Sequence, residues 1–416
     1  MALIFLDLLA SGTAFDVEAA TRMYLDTLQG PARAQSDAYF EGTTWLLLWG
    51  TLVTVAIDWL VLRFKMATAF RSLGEKWFNR PFLVTWVTAL LYLTVTTIFI
   101  LPWSIYTDYL REKQYDLLDL AFMPWVAEQV TGFAIGLIIG PLAIALVYSV
   151  IRRAKRTWWM FGTAITGLIL MLGMMVAPVF ISPLFNTFSE MEEGPLKDRI
   201  VAMAREHDVP AEHIYVFDQS KQDKRISANV SGFGPTIRIS LNDNLLERTT
   251  DEEVVAVTGH ELGHYVLNHG PWRVATMMSV IGLGLFLASR IAPWMIRRFG
   301  QSWGIRDIGD PASIPVLSAI LTLYFLMATP ALNNIIRLQE SQADDFGLDT
   351  AAEPDAFARA AMRLAEYRKL EPTQLEEFLF YTHPSGETRV RKAMQWKAEN
   401  VPDAKITPPP EGYLNN

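Results

Sequence analysis

The sequence predicts a mainly α-helical, polytopic membrane protein with about six to seven spans and a polar domain carrying a small β-sheet. Three observations carry this reading. Of 416 residues, 51% are hydrophobic and only 19% charged, against roughly 25% charged in an ordinary soluble domain. Mean hydropathy is +0.20. The apolar residues are also not spread evenly: they gather into stretches of membrane-crossing length, separated by two long polar segments.

Residues 81–101, 129–151, 157–189 and 311–336 contain no Asp, Glu, Lys or Arg. Each exceeds the roughly 20 helical residues that cross a hydrocarbon core of about 30 Å. Residues 43–62 and 274–296 form two more spans, interrupted by Asp58 and Arg290. Each of these two charges either faces a polar partner inside the protein or snorkels from near a span end. Residues 1–14 are apolar but short, broken by Asp7, and lack the basic start of a signal peptide; they read as a peripheral segment. The chain then divides into an N-terminal segment 1–42, four spans within 43–184, a polar part 185–272, two spans within 273–336 and a C-terminal polar part 337–416.

Basic residues sort the connections by side. Arg63, Lys65, Arg71, Lys76 and Arg80 lie in one, Arg152, Arg153, Lys155 and Arg156 in a second, and Arg297, Arg298 and Arg306 in a third. The positive-inside rule holds these in the cytoplasm and places both polar parts outside. The net charge of −8 leaves no basic footprint, so no nucleic-acid partner is expected. Cysteine is absent, which excludes disulfides, thiolate metal sites and a cysteine nucleophile. A metal site must draw on Asp, Glu and only 6 His.

The polar part holds short strand signals at 213–218, 224–231 and 236–241, with SGFGP as a turn. These predict a sheet of two or three strands with an exposed edge. A helix follows from Thr250, which forms a capping box with Glu253. It contains His260-Glu261-Leu262-Gly263-His264. Two His one turn apart can hold one Zn²⁺, with Glu261 beside the open position. The plain alternative is a pair of surface His on an amphipathic helix. A catalytic zinc takes a third protein ligand, and Glu340 is the candidate. Asn333, Arg337, Glu340 and Asp344 share one face if the last span continues as a helix into the polar part. Asp344 could then accept a hydrogen bond from a ligand imidazole. His207, His213 and His269 show no such partners, and His269 reads as a helix-end cap.

Together, the HELGH helix, ESQAD after the last span and YTHPSGETR resemble the type I CAAX prenyl protease family. LPWSIYTDYLREKQY and the segment 177–200 add to the likeness, which covers residues 40–395. The resemblance implies a gluzincin-type zinc-protease domain within a membrane helix barrel, with one Zn²⁺ per chain. It makes His260, His264 and Glu340 the ligands and Glu261 the general base. It matches Asp344 to an acidic residue that donates protons or orients a ligand, His383 and Arg389 to residues near substrate or oxyanion, and Asn229 to a substrate-holding strand. The expected reaction is peptide hydrolysis, as in the removal of C-terminal tripeptides from prenylated proteins or peptides. A quality-control protease with unprenylated substrates is the alternative, and a transporter with an incidental HExxH a third reading. The expected location is a bacterial inner membrane, with the lipid bilayer and a peptide or protein substrate as partners. The eukaryotic members of the family face their zinc domain to the cytosol, opposite to the orientation from loop charges.

Overall fold

The computed structural model describes residues 15–210, 213–232 and 237–415. The segment 1–14, expected to be peripheral, lies outside the described residues. Among those described, six helices are long and apolar enough to cross a membrane: Gly30–Arg63, Pro81–Gln114, Phe122–Arg153, Trp158–Leu184, His269–Trp303 and Pro311–Ala351. Five of them run 32 residues or more, which at 1.5 Å per residue is about 48 Å and exceeds the membrane core. The surplus turns project from the spans into the polar domain. Hydropathy alone locates only their apolar middles, which is why the predicted 43–62 is the end of a helix that begins at Gly30. Its polar first turns hold their helical form by packing: Ser36 and Tyr39 are buried there, and the Arg111 guanidinium lies 4.2 Å from the Tyr39 ring centroid.

The fourth span ends earlier than its uncharged composition suggests. The regular α-helix stops at Val176 and Pro178 follows, so the chain turns through irregular helix into strand β1, Phe188–Glu190. The sheet has four strands, not two or three: β1 joins β2 (Ile214–Phe217), β3 (Ala228–Ser231) and β4 (Arg238–Asn242). Their spatial order is β1-β2-β4-β3, with β2 and β4 parallel and the outer pairs antiparallel. β3 is therefore an edge strand. The sheet shares a core with helix Pro195–Glu206 and the HExxH helix Asp251–Val266; Ile200, Ile214, Ile239, Leu241, Leu245 and Leu262 are fully buried in it. Each such side chain contributes about 1.5–3 kcal/mol on burial. A second core joins the N-terminal helix Val17–Leu25 to the C-terminal helices through Tyr24, Leu25, Phe357, Met362 and Met394.

The opposite end of the helix bundle is stitched by ion pairs between its connections. Arg71 of the short helix Met66–Trp77 meets Asp310 at 2.5 Å, and Arg306 meets Glu75 at 2.6 Å. The two intramembrane charges separate in behaviour. Asp58 is 1% exposed and accepts a hydrogen bond from Tyr92 at 2.5 Å. Arg290 is exposed, with its guanidinium 5.1 Å from the Phe286 ring centroid.

Candidate metal centre

The capping box forms as expected at the start of the HExxH helix. Thr250 N–H donates to Glu253 Oε2 at 2.8 Å and Glu253 N–H donates to Thr250 Oγ1 at 3.4 Å. Such a cap is worth about 1 kcal/mol. Glu253 is fully buried, and Arg363 Nε also donates to it at 3.3 Å, which ties the cap to helix Pro354–Arg363.

One turn-and-a-half further on, this helix crosses the helix Ile314–Ala351 at backbone contact. Gly259 and Gly263 on one helix face Ala343 and Gly347 on the other. A Cβ on Gly347 would stand 2.8 Å from the His260 backbone N; one on Gly263 would stand 3.2 Å from the Ala343 Cα. Small residues four apart on both partners permit this approach. The crossing places Glu340 and Asp344 against the imidazoles of His260 and His264. The predicted polar face beside them is also partnered: Asn333 Nδ2 donates to Leu379 O at 2.9 Å, and Arg337 Nη1 donates to Tyr381 O at 3.0 Å. These bonds seat the segment that carries His383.

Three imidazoles converge on one carboxylate oxygen. Glu340 Oε2 lies 3.1 Å from His260 Nε2, 3.4 Å from His264 Nε2 and 3.2 Å from His383 Nε2. Glu340 Oε1 accepts from Arg273 Nη2 at 2.6 Å. Ligand atoms of His260, Glu261 and His264 fall within 4.8 Å of one another. Two imidazoles and a carboxylate are the donor set of a catalytic zinc site, and the remaining ring nitrogens fit that use. His260 Nδ1 stands 2.8 Å from Asp344 Oδ1. His264 Nδ1 stands 2.8 Å from His269 Nδ1, whose Nε2 reaches Gln342 Oε1 at 3.2 Å. Gln342 Oε1 can only accept, so His269 donates to it and receives the Nδ1 proton of His264. That tautomer leaves His264 Nε2 with its lone pair free for a metal.

His269 thus has partners, contrary to its reading as a helix cap. The reason is local. Asn268 adopts φ +57° and a new helix starts at His269, so helical spacing counted from His264 misplaces the ring. Arg273 escaped notice for the same reason: it rides on this second helix. His207 and His213 also have neighbours, Thr350 Oγ1 at 3.1 Å and Glu190 Oε1 at 3.4 Å, both away from the site.

Arg389 donates through Nε and Nη2 to the two oxygens of Asp344, at 3.1 and 2.6 Å. Asp344 is fully buried, so this ion pair offsets the loss of hydration. Burial raises the pKa of Glu261 above the ordinary carboxylate range, against the opposing field of His260 and His264. Burial, reinforced by the charge of Arg368, lowers that of His383 to about 3, which keeps its ring neutral near pH 7. A cavity of about 410 Å³ opens onto His260, Glu261, His383 and Arg389, with Ser227 and Ala228 of the β3 edge region on its wall. Asn229 lies in β3 opposite Ser240, beside these lining residues.

Removing the His269 ring frees the His264 tautomer. His269→Ala should weaken metal affinity by about 10–100-fold. Metal titration by calorimetry checks it, and unchanged affinity would show that the contact has no such role.

Comparisons with known proteins give the family and the fold. Peptidase family M48 matches residues 190–397, and the CAAX prenyl protease N-terminal region with five membrane helices matches residues 26–187. The chain is 26% identical over 357 residues to the uncharacterized metalloprotease YhfN of Bacillus subtilis, covering 84% of this chain and 83% of that one. It is 26% identical over 296 residues to the CAAX prenyl protease 1 homolog of Arabidopsis thaliana, covering 70% and 69%. The crystal structure of S. mikatae Ste24p shares the fold, with TM-score 0.75 and 21% identity over 89% of this chain and 90% of that one. With the HExxH helix, the buried carboxylate and the membrane bundle in place, the chain is a membrane metallopeptidase and belongs to peptidase family M48.

Proposed function

We propose that the chain is a zinc-dependent endopeptidase with His260, His264 and Glu340 as the metal ligands and Glu261 as the general base. The observation that carries this reading is the convergence of both motif imidazoles on one Glu340 oxygen, beside Glu261 at the cavity wall. When bound, zinc supplies the Lewis acidity that polarises the scissile carbonyl and acidifies the attacking water. Glu261 takes a proton from that water on its carboxylate and passes it to the leaving amine. A pKa raised by burial suits both halves of this transfer. Neutral His383 donates a hydrogen bond to the oxyanion that develops on the carbonyl oxygen. Asp344, clamped by Arg389, orients His260, and a carboxylate so paired is better suited to that role than to giving up a proton. Arg273 engages one Glu340 oxygen and leaves the other for the metal. The peptide lies along the edge strand β3 near Asn229, extending the sheet by main-chain hydrogen bonds.

The substrate class we propose is a peptide or protein cut near its C-terminus, prenylated CAAX tails among them. The names of the plant and other eukaryotic relatives support that choice. The Bacillus relative is named only as a metalloprotease and matches over 357 residues, which supports unprenylated substrates as the second reading. The proposed location is a bacterial inner membrane with the catalytic end outside the cytoplasm. The basic connections 63–80, 152–156 and 297–306 support this, because they gather at the end stitched by Arg71–Asp310 and Arg306–Glu75, away from His260.

Glu261→Gln keeps the shape of the side chain and removes its basicity. It should retain zinc, by metal analysis of purified protein, and lose peptide cleavage by at least roughly a hundredfold. Activity near the parent level would remove Glu261 from the role of base. Orientation is testable because the chain lacks cysteine. Ser72 and Glu192 are exposed at the two ends. Glu192→Cys should react with an impermeant maleimide in intact cells, and Ser72→Cys only after lysis. The reverse pattern would put the catalytic end in the cytoplasm.

A further inference from the structure

Three guanidinium groups line the catalytic cavity: Arg225, Arg368 and Arg389. Two are paired. Arg225 meets Glu112 at 2.6 Å and Asp223 at 3.7 Å, and Arg389 is held by Asp344. The side chain of Arg368 makes no ion pair or hydrogen bond among the described residues; its guanidinium lies 5.5 Å from the Tyr367 ring centroid. Neither carboxylate on the cavity wall pairs with it among the described residues: Asp223 is committed to Arg225, and Glu261 makes no ion pair with Arg368. Glu340 acts on it only from a distance.

The backbone around Arg368 is fixed. Ser36 Oγ, from the first membrane helix, donates to Ala365 O and, at 3.1 Å, to Arg368 O. Tyr381 Oη donates to Lys369 O at 2.6 Å. Arg368 is half-buried, and its charge acts on His383 at the reaction centre. A cation so held, partly stripped of water and without a direct ion-pair partner, is a preformed receptor for an anion.

We infer that Arg368 receives a carboxylate of the bound peptide and thereby sets which peptide bond lies beside Glu261. This rests on the peptidase reading of the site. Guanidinium and carboxylate match as a fork, which fixes position as well as supplying affinity. Two groups on a peptide offer that chemistry, its C-terminus and an acidic side chain, and the test separates them.

Binding is measured by fluorescence anisotropy in zinc-loaded Glu261→Gln protein, so that no peptide is consumed. Three peptides identical up to the last residue serve as probes: the free acid, the C-terminal amide, and the amide with Glu in place of the last residue. The free acid should bind about 10–100-fold more tightly than the plain amide. Adding Arg368→Gln should abolish that gap and leave the plain amide's affinity unchanged; Arg368→Lys should restore part of it. A gap confined to the Glu-ended amide, and abolished by Arg368→Gln, supports the carboxylate role with a side chain as source. A gap that survives Arg368→Gln overturns the inference, as does the absence of a gap for both carboxylates. An equal loss for all three peptides would show a structural role and also overturn it. Failure of the protein with intact Glu261 to cleave any of the three would count against the peptidase reading instead.

Discussion

The close crossing of two helices is the constraint on which the site depends. HExxH supplies two imidazoles on one helix, yet a third donor has to come from another element. The carboxylate proposed for that place, Glu340, rides on a helix that starts in the membrane bundle and runs 41 residues, from Pro311 to Ala351. The Glu340 carboxylate reaches the His pair only because Gly259, Gly263, Ala343 and Gly347 let the two backbones touch. Larger side chains at these positions would push the helices apart, and a buried carboxylate displaced by an ångström or two no longer meets both rings. The membrane span and the polar domain are therefore one mechanical unit at this point.

Electrostatics follow from that packing. Glu340 and Asp344 are 3% and 0% exposed, so neither carboxylate is solvated. Each is offset by a guanidinium, Arg273 for the first and Arg389 for the second. Each also faces an imidazole. A buried carboxylate is costly unless it is paired and hydrogen-bonded, and the two arginines arrive on separate elements for that purpose. The result is a set of oriented donors whose unused nitrogens and oxygen face the same point. A metal held as proposed would bind there without rearranging the core.

Much of this was legible in residues, for definite reasons. Uncharged stretches of 20 or more residues reveal spans because lipid tolerates little else, and the capping box marks the start of the HExxH helix. The i, i+4 spacing places His260 and His264 on one face, and spacing along the last helix selects Glu340 and Asp344. Three features were not legible. Helix lengths were underestimated, because polar turns held by tertiary packing carry no hydropathy signal. The strand β1 and the parallel β2–β4 pairing were missed, because three residues following an irregular turn give no pattern. His269 and Arg273 were missed because one residue, Asn268, takes a left-handed conformation and resets the helical register. A sequence reader could have flagged them only by asking which partner holds the far nitrogen of His264.

As proposed above, the long membrane helix donates the third metal ligand. Zinc content after exhaustive dialysis of purified wild type and Glu340→Ala, measured side by side by atomic emission, tests it most directly. The wild type should hold close to one zinc per chain and the variant almost none, with both proteins still folded by circular dichroism. Full zinc retention in Glu340→Ala would contradict it.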